Sequence, residues 1–232
     1  MDKSKLIVFT GAGISAESGI KTFRDVGGLW EEHRVEDVAS AEGWHRNPKL
    51  VLEFYNARRR QLIDAKPNVA HILIAELEKK YDVNVITQNV DDLHERAGSS
   101  KVLHLHGELM KVRSTANENL IYDVAEISKN KIDINIGNRC ELGSQLRPHI
   151  VFFGEAVPNM SPAIRLTAMA DIFCVIGTSL AVYPAASLLN FVSPQTKIFL
   201  IDPNPSDNLP SNIHIIKDIA SVGVRQLLDM IA

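Results

Sequence analysis

LIVFTGAGISAESGIKTFR, residues 6–24, decides how the chain is read. Residues 6–10 are a short, apolar, β-branched run, which predicts a buried parallel strand. Gly11-Ala12-Gly13-Ile14-Ser15-Ala16 then fits the G-x-G-x-x-G/A turn of a dinucleotide site. Small residues there let backbone N–H groups approach a pyrophosphate, and the helix predicted next turns its positive N-terminal end toward that anion. Glycine-rich strand-to-helix turns recur across α/β proteins, so the turn alone is a pointer and not an assignment. Glu31 and Glu32 lie at about the right distance for a ribose-binding acid, but in a charged run with no second strand before them.

The chain has 232 residues and is 45% hydrophobic, enough for one sizeable core and a minor lobe. A net charge of −3 argues against a broad nucleic-acid surface. The cysteines, Cys140 and Cys174, are far apart and belong to no C-x-x-C pair, which fits a reducing compartment. The N-terminal residues carry neither a secretory signal nor an Arg-rich presequence, so a cytoplasmic protein is expected. Residues 172–196 lack charge and are long enough to span a bilayer. Gly177, Thr178, Ser179, Pro184, Ser187 and Asn190 interrupt them, and a buried strand, a turn and a helix fit better than a membrane span.

Apolar strands are predicted at residues 6–10, 84–87, 101–105, 172–176 and 197–201, with helical patterns between, as at 69–80 and 221–231. This alternation predicts an α/β fold: a doubly wound parallel sheet with helices on both faces. Two segments do not fit the alternation. Residues 28–66 are mostly helical and charged, and residues 110–147 are polar and irregular, with β-like scraps at 119–124 and 131–136. Both read as insertions building a smaller lobe, which leaves residues 1–27, 67–109 and 148–232 to the nucleotide-binding lobe. Ligands of open α/β sheets bind beyond the carboxyl ends of the strands, and every chemically loaded turn here follows a strand end.

Thr87-Gln88-Asn89-Val90-Asp91-Asp92 offers amides and carboxylates for ribose hydroxyls or a carboxamide; the plainer alternative is that Asn89 or Asp91 caps the next helix. His106, just past a strand end and before Gly107, is placed as a general base. An isolated histidine is as readily structural, and His104 admits both readings. Gly177-Thr178-Ser179 and Asp202-Pro203-Asn204 are strand-end turns of phosphate- or ribose-binding character. In the helix after Pro48, about 100° per residue puts Val51, Tyr55, Arg58 and Leu62 on one apolar face. Arg59 and Arg60 are expected on the solvated side. Arg58 in that stripe wants a carboxylate, from a ligand or from an internal acid.

Taken together, GAGISAESGIKTFR, TQNVDDLHERAG, HLHGEL, LRPHIVFFGEAVP and GTSLAVYP resemble the sirtuins, the NAD-dependent protein-lysine deacylases, in family order over nearly the whole chain. GLWEEHRVEDVAS and FYNARRRQL are similar to the bacterial CobB-type members. The resemblance implies a Rossmann-like large domain with a small domain made from the two insertions. It implies NAD as co-substrate, with Gly11, Ala12, Gly13, Ser15, Phe23, Arg24 and Trp30 along its pocket. Gln88, Asn89, Val90 and Asp91 would hold the nicotinamide and its ribose. Gly177, Thr178 and Ser179 would lie on the adenosine side, with Asp202, Pro203, Asn204 and Ala220 near the adenine.

His106 matches the catalytic base, with Asn89 and Asp91 positioning the reacting ribose. The loop of residues 150–157, through Phe152, Phe153, Gly154 and Glu155, matches the one that pairs by its backbone with an extended acyl-lysine peptide. Tyr55 and Arg58 match the Tyr-x-x-Arg pair that binds the distal carboxylate of succinyl-, malonyl- or glutaryl-lysine. The implied chemistry is acyl transfer to NAD. The acyl oxygen attacks the nicotinamide ribose, nicotinamide leaves, and His106 deprotonates a ribose hydroxyl that attacks the resulting alkylimidate. Free lysine and O-acyl-ADP-ribose result.

Sirtuins commonly hold a structural zinc with two C-x-x-C pairs. Here those positions read Ser114, Asn117, Cys140 and Gly143, so one ligand of four survives and no zinc is expected. Local packing, with a hairpin through IYDV and KIDINI, is expected to hold the insertion instead. No nucleic-acid or membrane partner is expected, and a monomer is the working expectation. The main rival activity is ADP-ribosyl transfer by the same family. Hydride transfer and NAD sensing without catalysis are the remaining alternatives.

Overall fold

The first apolar run forms a strand covered on both faces, β1 (Lys5–Thr10), in which Leu6, Ile7, Val8 and Phe9 are each at most 1% exposed. Burying such side chains contributes roughly 1.5–3 kcal/mol apiece, which makes β1 the natural centre of the sheet. The structure, a computed structural model, describes residues 3–20, 29–30, 33–178, 180, 185–206 and 209–231.

After β1 come a 3-10 segment (Ala12–Ser18) and a short antiparallel pair, β2 (Leu29–Trp30) and β3 (His33–Arg34). Helices α1 (Val35–Val38), α2 (Ala41–Arg46), α3 (Pro48–Asp64) and α4 (Val69–Leu77) follow. Next are β4 (Asp82–Thr87), α5 (Leu93–Ala97), β5 (Val102–His104) and β6 (Gly107–Ser114). Then come β7 (Ile121–Asp123), α6 (Val124–Ile127), β8 (Leu146–Ile150) and α7 (Met160–Ala168). The last elements are β9 (Ile172–Ile176), a 3-10 segment (Ala185–Phe191), β10 (Lys197–Ile201), β11 (Ile213–Ile216) and α8 (Ala220–Ile231).

The main sheet has the order β11-β10-β9-β1-β4-β5, with every pair parallel. The chain adds strands to one side of β1 and then to the other, so its order reverses between β1 and β9. A crevice opens at such a switch point. Helices α4 and α8 cover one face, and α7 with the 185–191 segment covers the other. This is the doubly wound α/β architecture that the sequence predicts.

Residues of both predicted insertions share a separate apolar cluster that includes Trp44, Tyr55, Leu109, Val112, Ile134, Leu146 and Phe152. In it α3 lies against the small antiparallel sheet β7-β6-β8. Local signals set the helix ends here. Asn47 Oδ1 accepts from the Leu50 N–H at 3.1 Å with Pro48 in the first turn, and Asn68 caps α4 with a capping box.

Four expectations need correction. The segment after the glycine turn is 3-10 and closes at Gly19, at φ 83°, rather than forming an α-helix. Strand β11 joins the sheet edge unforeseen, because its sequence, IHII, is too short for a periodicity. The hairpin through IYDV and KIDINI does not form: IYD pairs with β6 instead. The backbone of KIDINI is satisfied by side chains. Asn130 Oδ1 accepts from the N–H groups of Ile132 and Asp133, and the Asn56 amide clamps both the N–H and the carbonyl of Ile134 at 2.9 Å.

The fourth correction is Arg59, which is buried at 0% exposure and not solvated. The insertion covers a second face of α3, so only Arg60 reaches solvent, paired with Asp133 at 2.7 Å. Arg59 Nη1 donates to Asn56 Oδ1 at 3.0 Å, and burial pulls its pKa down to about 10. Residues 172–196 contain a strand and a 3-10 segment, and among the described residues no helix is long and apolar enough to cross a membrane.

Candidate active site

The turns after β1 and β9 meet at the switch point. Gly11 N–H donates to the Ile176 carbonyl at 3.0 Å and Gly13 N–H to the Gly177 carbonyl at 2.8 Å. A Cβ on Gly13 would sit 2.7 Å from Gly177 Cα, and one on Gly177 would sit 2.4 Å from the Ile14 nitrogen. The glycines are therefore needed first for this backbone-to-backbone approach. Asn68 Nδ2 secures the same turn by donating to the Ile14 carbonyl at 2.7 Å and to Ser18 Oγ at 3.0 Å.

Ser15 is fully buried and joins the glycine turn to the loop after β4. Its hydroxyl donates to Asp91 Oδ2 at 3.0 Å and accepts from Asn89 Nδ2 at 3.1 Å. The Asn89 N–H donates to Thr87 Oγ1 at 3.0 Å, and the Thr10 hydroxyl donates to that same oxygen at 2.8 Å. Asp91 Oδ1 also accepts from the Leu93 N–H at 3.2 Å, so its carboxylate secures the first residue of α5 as well as Ser15. Burial raises the Asp91 pKa, against the Leu93 and Ser15 hydrogen bonds that favour its carboxylate. Gln88 Nε2 donates to Thr178 Oγ1 at 2.9 Å, tying this loop to the turn after β9. Val90 packs against the apolar cluster beneath α3.

His106 follows β5, with its Nδ1 3.0 Å from the Gln88 carbonyl. A carbonyl only accepts, so Nδ1 carries the proton and Nε2 keeps its lone pair. Burial lowers the His106 pKa, opposed by that carbonyl, and the ring is therefore a neutral base at pH 7. Asp202 is buried, and its Oδ1 accepts from the Asn204 N–H at 2.8 Å, which builds the Asp202-Pro203-Asn204 turn from within. Asn204 and Thr178 share a small pocket with Leu180 and Leu200. Ala220 is buried at the start of α8, where Ser221 N–H and Oγ donate to the Glu17 carboxylate.

On the other side of the cleft, Tyr55 is fully buried and Arg58 is 7% exposed, which bears out their shared apolar face. Tyr55 stacks on Phe152 with ring centroids 6.1 Å apart and meets Phe54 edge-on, and Arg58 lies 5.8 Å from the Phe54 ring centre. Burial pushes the Tyr55 phenol well up, so it is a neutral donor. The Arg147 guanidinium covers Phe152 at 4.0 Å.

Glu155, expected against substrate, ties its loop to Arg113 of β6 and Arg147 of β8. It accepts from Arg147 at 2.7 and 3.1 Å, from Arg113 at 3.1 Å and from the Phe152 N–H at 2.8 Å. Phe153 is 50% exposed, and its N–H donates to the Ala39 carbonyl at 2.8 Å. Gly154 turns the loop at φ 89°. Phe23, Arg24, Ser179 and the Glu31-Glu32 pair lie outside the described residues, as does the Trp30 side chain.

The structure thus brings together Gly11, Ala12, Gly13, Ser15, Gln88, Asn89, Asp91, His106, Gly177 and Thr178. Sequence reasoning missed Thr10, Thr87 and Asn68. Each is a small polar residue at an element end, and the only signal would have been that position. It also missed the Arg113–Arg147–Glu155 cluster, whose spacing carries no motif.

At the four zinc positions, Ser114 Oγ accepts from the Ala116 and Asn117 N–H groups at 3.1 and 3.2 Å and lies 2.8 Å from Ser144 Oγ. The Cys140 thiol donates to Ser114 at 3.3 Å. One sulfur among hydroxyls, an amide and a glycine is not a tetrahedral zinc donor set, and these residues do not fit the metal.

The Sir2 family profile matches residues 11–184. A Bacteroides thetaiotaomicron protein named NAD-dependent protein deacylase is 53% identical over 227 residues, covering 97% of both chains. A Helicobacter pylori protein of the same name is 54% identical over 224 residues, covering 96% of this chain and 95% of its own. Among solved structures, a Sir2 homologue–NAD complex superposes with a TM-score of 0.85 at 38% identity, covering 99% of this chain and 91% of that one. A Sir2 mutant bound to a p53 peptide and NAD gives 0.79 at 30% identity, with 98% and 93% covered. A chain with this sheet order, this glycine-to-glycine turn contact and these relatives belongs to the Sir2 family.

Proposed function

We propose that this chain is an NAD-dependent protein-lysine deacylase that removes acetyl groups and prefers acidic acyl groups: succinyl, malonyl and glutaryl. The observation that carries the activity is His106, whose Nδ1 is spent on the Gln88 carbonyl, leaving Nε2 as the base. NAD, when bound, supplies an electrophilic ribose carbon, a leaving nicotinamide and the hydroxyl that receives the acyl group. His106 takes the proton from that hydroxyl. Asn89, Asp91 and Ser15 orient the ribose, and holding the reactants together supplies much of the acceleration. One water completes the balance: it replaces the oxygen that the acyl group leaves on the ribose carbon, so acyl-lysine, NAD and water give free lysine, nicotinamide and O-acyl-ADP-ribose.

The acyl preference rests on Tyr55 and Arg58. A neutral phenol stacked on Phe152 and a guanidinium over Phe54, both buried one helical turn apart, suit a carboxylate at the far end of an acyl chain. The substrate peptide runs as an extended strand along the Phe152–Glu155 loop. The N–H groups of Val151, Phe152, Phe153 and Glu155 are engaged within the chain, so the backbone donors for the peptide come from Gly154, Ala156 and Val157. In this reading residues 28–66 and 110–147 form a small lobe against the NAD-binding lobe, and two free cysteines fit a reducing cytoplasm.

The test is parallel rates on acetyl- and succinyl-lysine peptides with NAD, followed by mass spectrometry, for the wild type and Arg58→Met. Faster desuccinylation that falls at least tenfold in Arg58→Met, with deacetylation spared, is the expected result (an Arg–carboxylate contact is worth roughly 1.5–3 kcal/mol). Equal losses on both peptides would make Arg58 structural. ADP-ribose attached to protein, without deacylated peptide, would favour the transferase reading.

A further inference from the structure

His104 ends β5 two residues before the base, where it registers with Thr87 across the sheet. Its ring is 7% exposed and both nitrogens are engaged. Nδ1 lies 2.9 Å from the Asn89 carbonyl, and Nε2 lies 2.8 Å from a Glu95 carboxylate oxygen on α5. A carbonyl and a carboxylate only accept, so the arrangement is complete only when both ring nitrogens carry protons.

Burial opposes that charge. The hydrogen bond and charge of Glu95, the Asn89 carbonyl and Glu108 on β6 outweigh it, and the balance raises the pKa. Asp91 from the loop and His94 from α5 face the ring as well, and Lys111 on β6 faces Glu95.

We propose that His104 is a positioning residue, held as an imidazolium between Glu95 and the Asn89 carbonyl, that fixes the Asn89–Asp91 turn against the reacting ribose. The inference rests on the reading of Asn89 and Asp91 as ribose-orienting groups. Asn89 is then clamped at three points: its N–H by Thr87 Oγ1 at 3.0 Å, its side chain by Ser15 at 3.1 Å, and its carbonyl by His104. When the ring loses a proton, the carboxylate draws the remaining one to Nε2. The Nδ1 lone pair then faces the Asn89 oxygen and the contact turns repulsive. Deprotonation of His104 therefore sets an alkaline limit on activity, while protonation of His106 sets the acid limit.

The variants separate this role from packing. In His104→Asn the amide nitrogen takes the place of Nδ1 and does not titrate. In Glu95→Gln the amide donates to Nε2, so a neutral ring keeps its Nδ1 proton on Asn89. His104→Leu removes the donor.

kcat and KM are measured from pH 5.5 to 9.5 with a deacylation assay, and the histidine ring nitrogens of the wild type are read by 15N NMR. His104→Leu is expected to lower kcat about ten- to hundredfold, with peptide KM unchanged. His104→Asn and Glu95→Gln are expected to restore most of it and to lose the alkaline limb. The NMR is expected to show both His104 nitrogens protonated at pH 7.5. A neutral His104 there, or variants sharing the wild-type pH profile, would overturn the positioning role. Absence of NAD-dependent deacylation in the wild type would instead overturn the reading of the whole site.

Discussion

The cleft edge of the main sheet and the small antiparallel sheet hold their loops in different ways. At the cleft, backbone meets backbone: Gly11 and Gly13 lie against Ile176 and Gly177, close enough to exclude any Cβ. In the small sheet, side chains reach across to backbone: Asn56 clamps Ile134, and Ser114 caps the turn of residues 114–117. The first device demands particular residues at particular spacings, and so leaves a motif. The second uses any suitably placed amide or hydroxyl and leaves none.

The sharpest way to break this contrast is Gly13→Ala. The new methyl has only backbone to displace, which costs about 3 kcal/mol, and the opened turn should lose NAD affinity and over 99% of activity. Thermal melts and NAD titration would measure both. Retained affinity would mean that the turns tolerate separation. Asn56→Ala should cost roughly 2–3 kcal/mol by stranding the buried N–H and carbonyl of Ile134. Hydrogen exchange there should quicken while NAD affinity in the other lobe holds. A loss of NAD affinity as well would show that the two regions are not independent.

A smaller effect concerns pH. His71 and His94 are buried side by side at the back of the cleft, ring centroids 4.8 Å apart. Burial holds His71 down to about 4 and His94 well below its usual range. Depressed histidines stabilise the fold above their unfolded pKa, near 6.5, and that stability is lost as the unfolded chain takes up protons below it. His104, whose pKa is raised, acts in the opposite sense and loses its contribution as pH rises. Burial also lowers His106 and His149, so four depressed histidines stand against one raised, and the fold should be less stable at pH 5 than at pH 7.5, His71 alone contributing roughly 2 kcal/mol. Urea melts at the two pH values check this, and equal stability would contradict the dry burial of the pair.

The smallest effect should be Arg59→Met. Arg59 Nε and Nη2 are buried without a hydrogen-bond partner among the described residues, so an apolar replacement should change stability by less than about 1 kcal/mol or raise it. A loss of several kcal/mol would show Arg59 to be a strut between α3 and the segment that covers it.

Legibility followed the same division. The strand of residues 6–10, the glycine turn and the Arg58 face could be read because strand period, helical period and close approach each constrain residue type. Arg59 was misread because one helix shows a single apolar stripe in sequence, while the second covered face is supplied by a segment some 70 residues later; Asn56 and Ile134 are 78 positions apart. Glu155 read as a substrate contact because its loop carries a motif, yet its partners Arg113 and Arg147 come from two other strands. Long-range side-chain pairing of this kind leaves no local period.

As proposed, His106 is the base acting after nicotinamide has left. It is tested most directly by His106→Tyr with succinyl-lysine peptide, NAD and labelled nicotinamide. Exchange of label into NAD should persist while deacylated peptide and O-acyl-ADP-ribose fall by at least about a hundredfold. Deacylation at a rate near that of the wild type would contradict it.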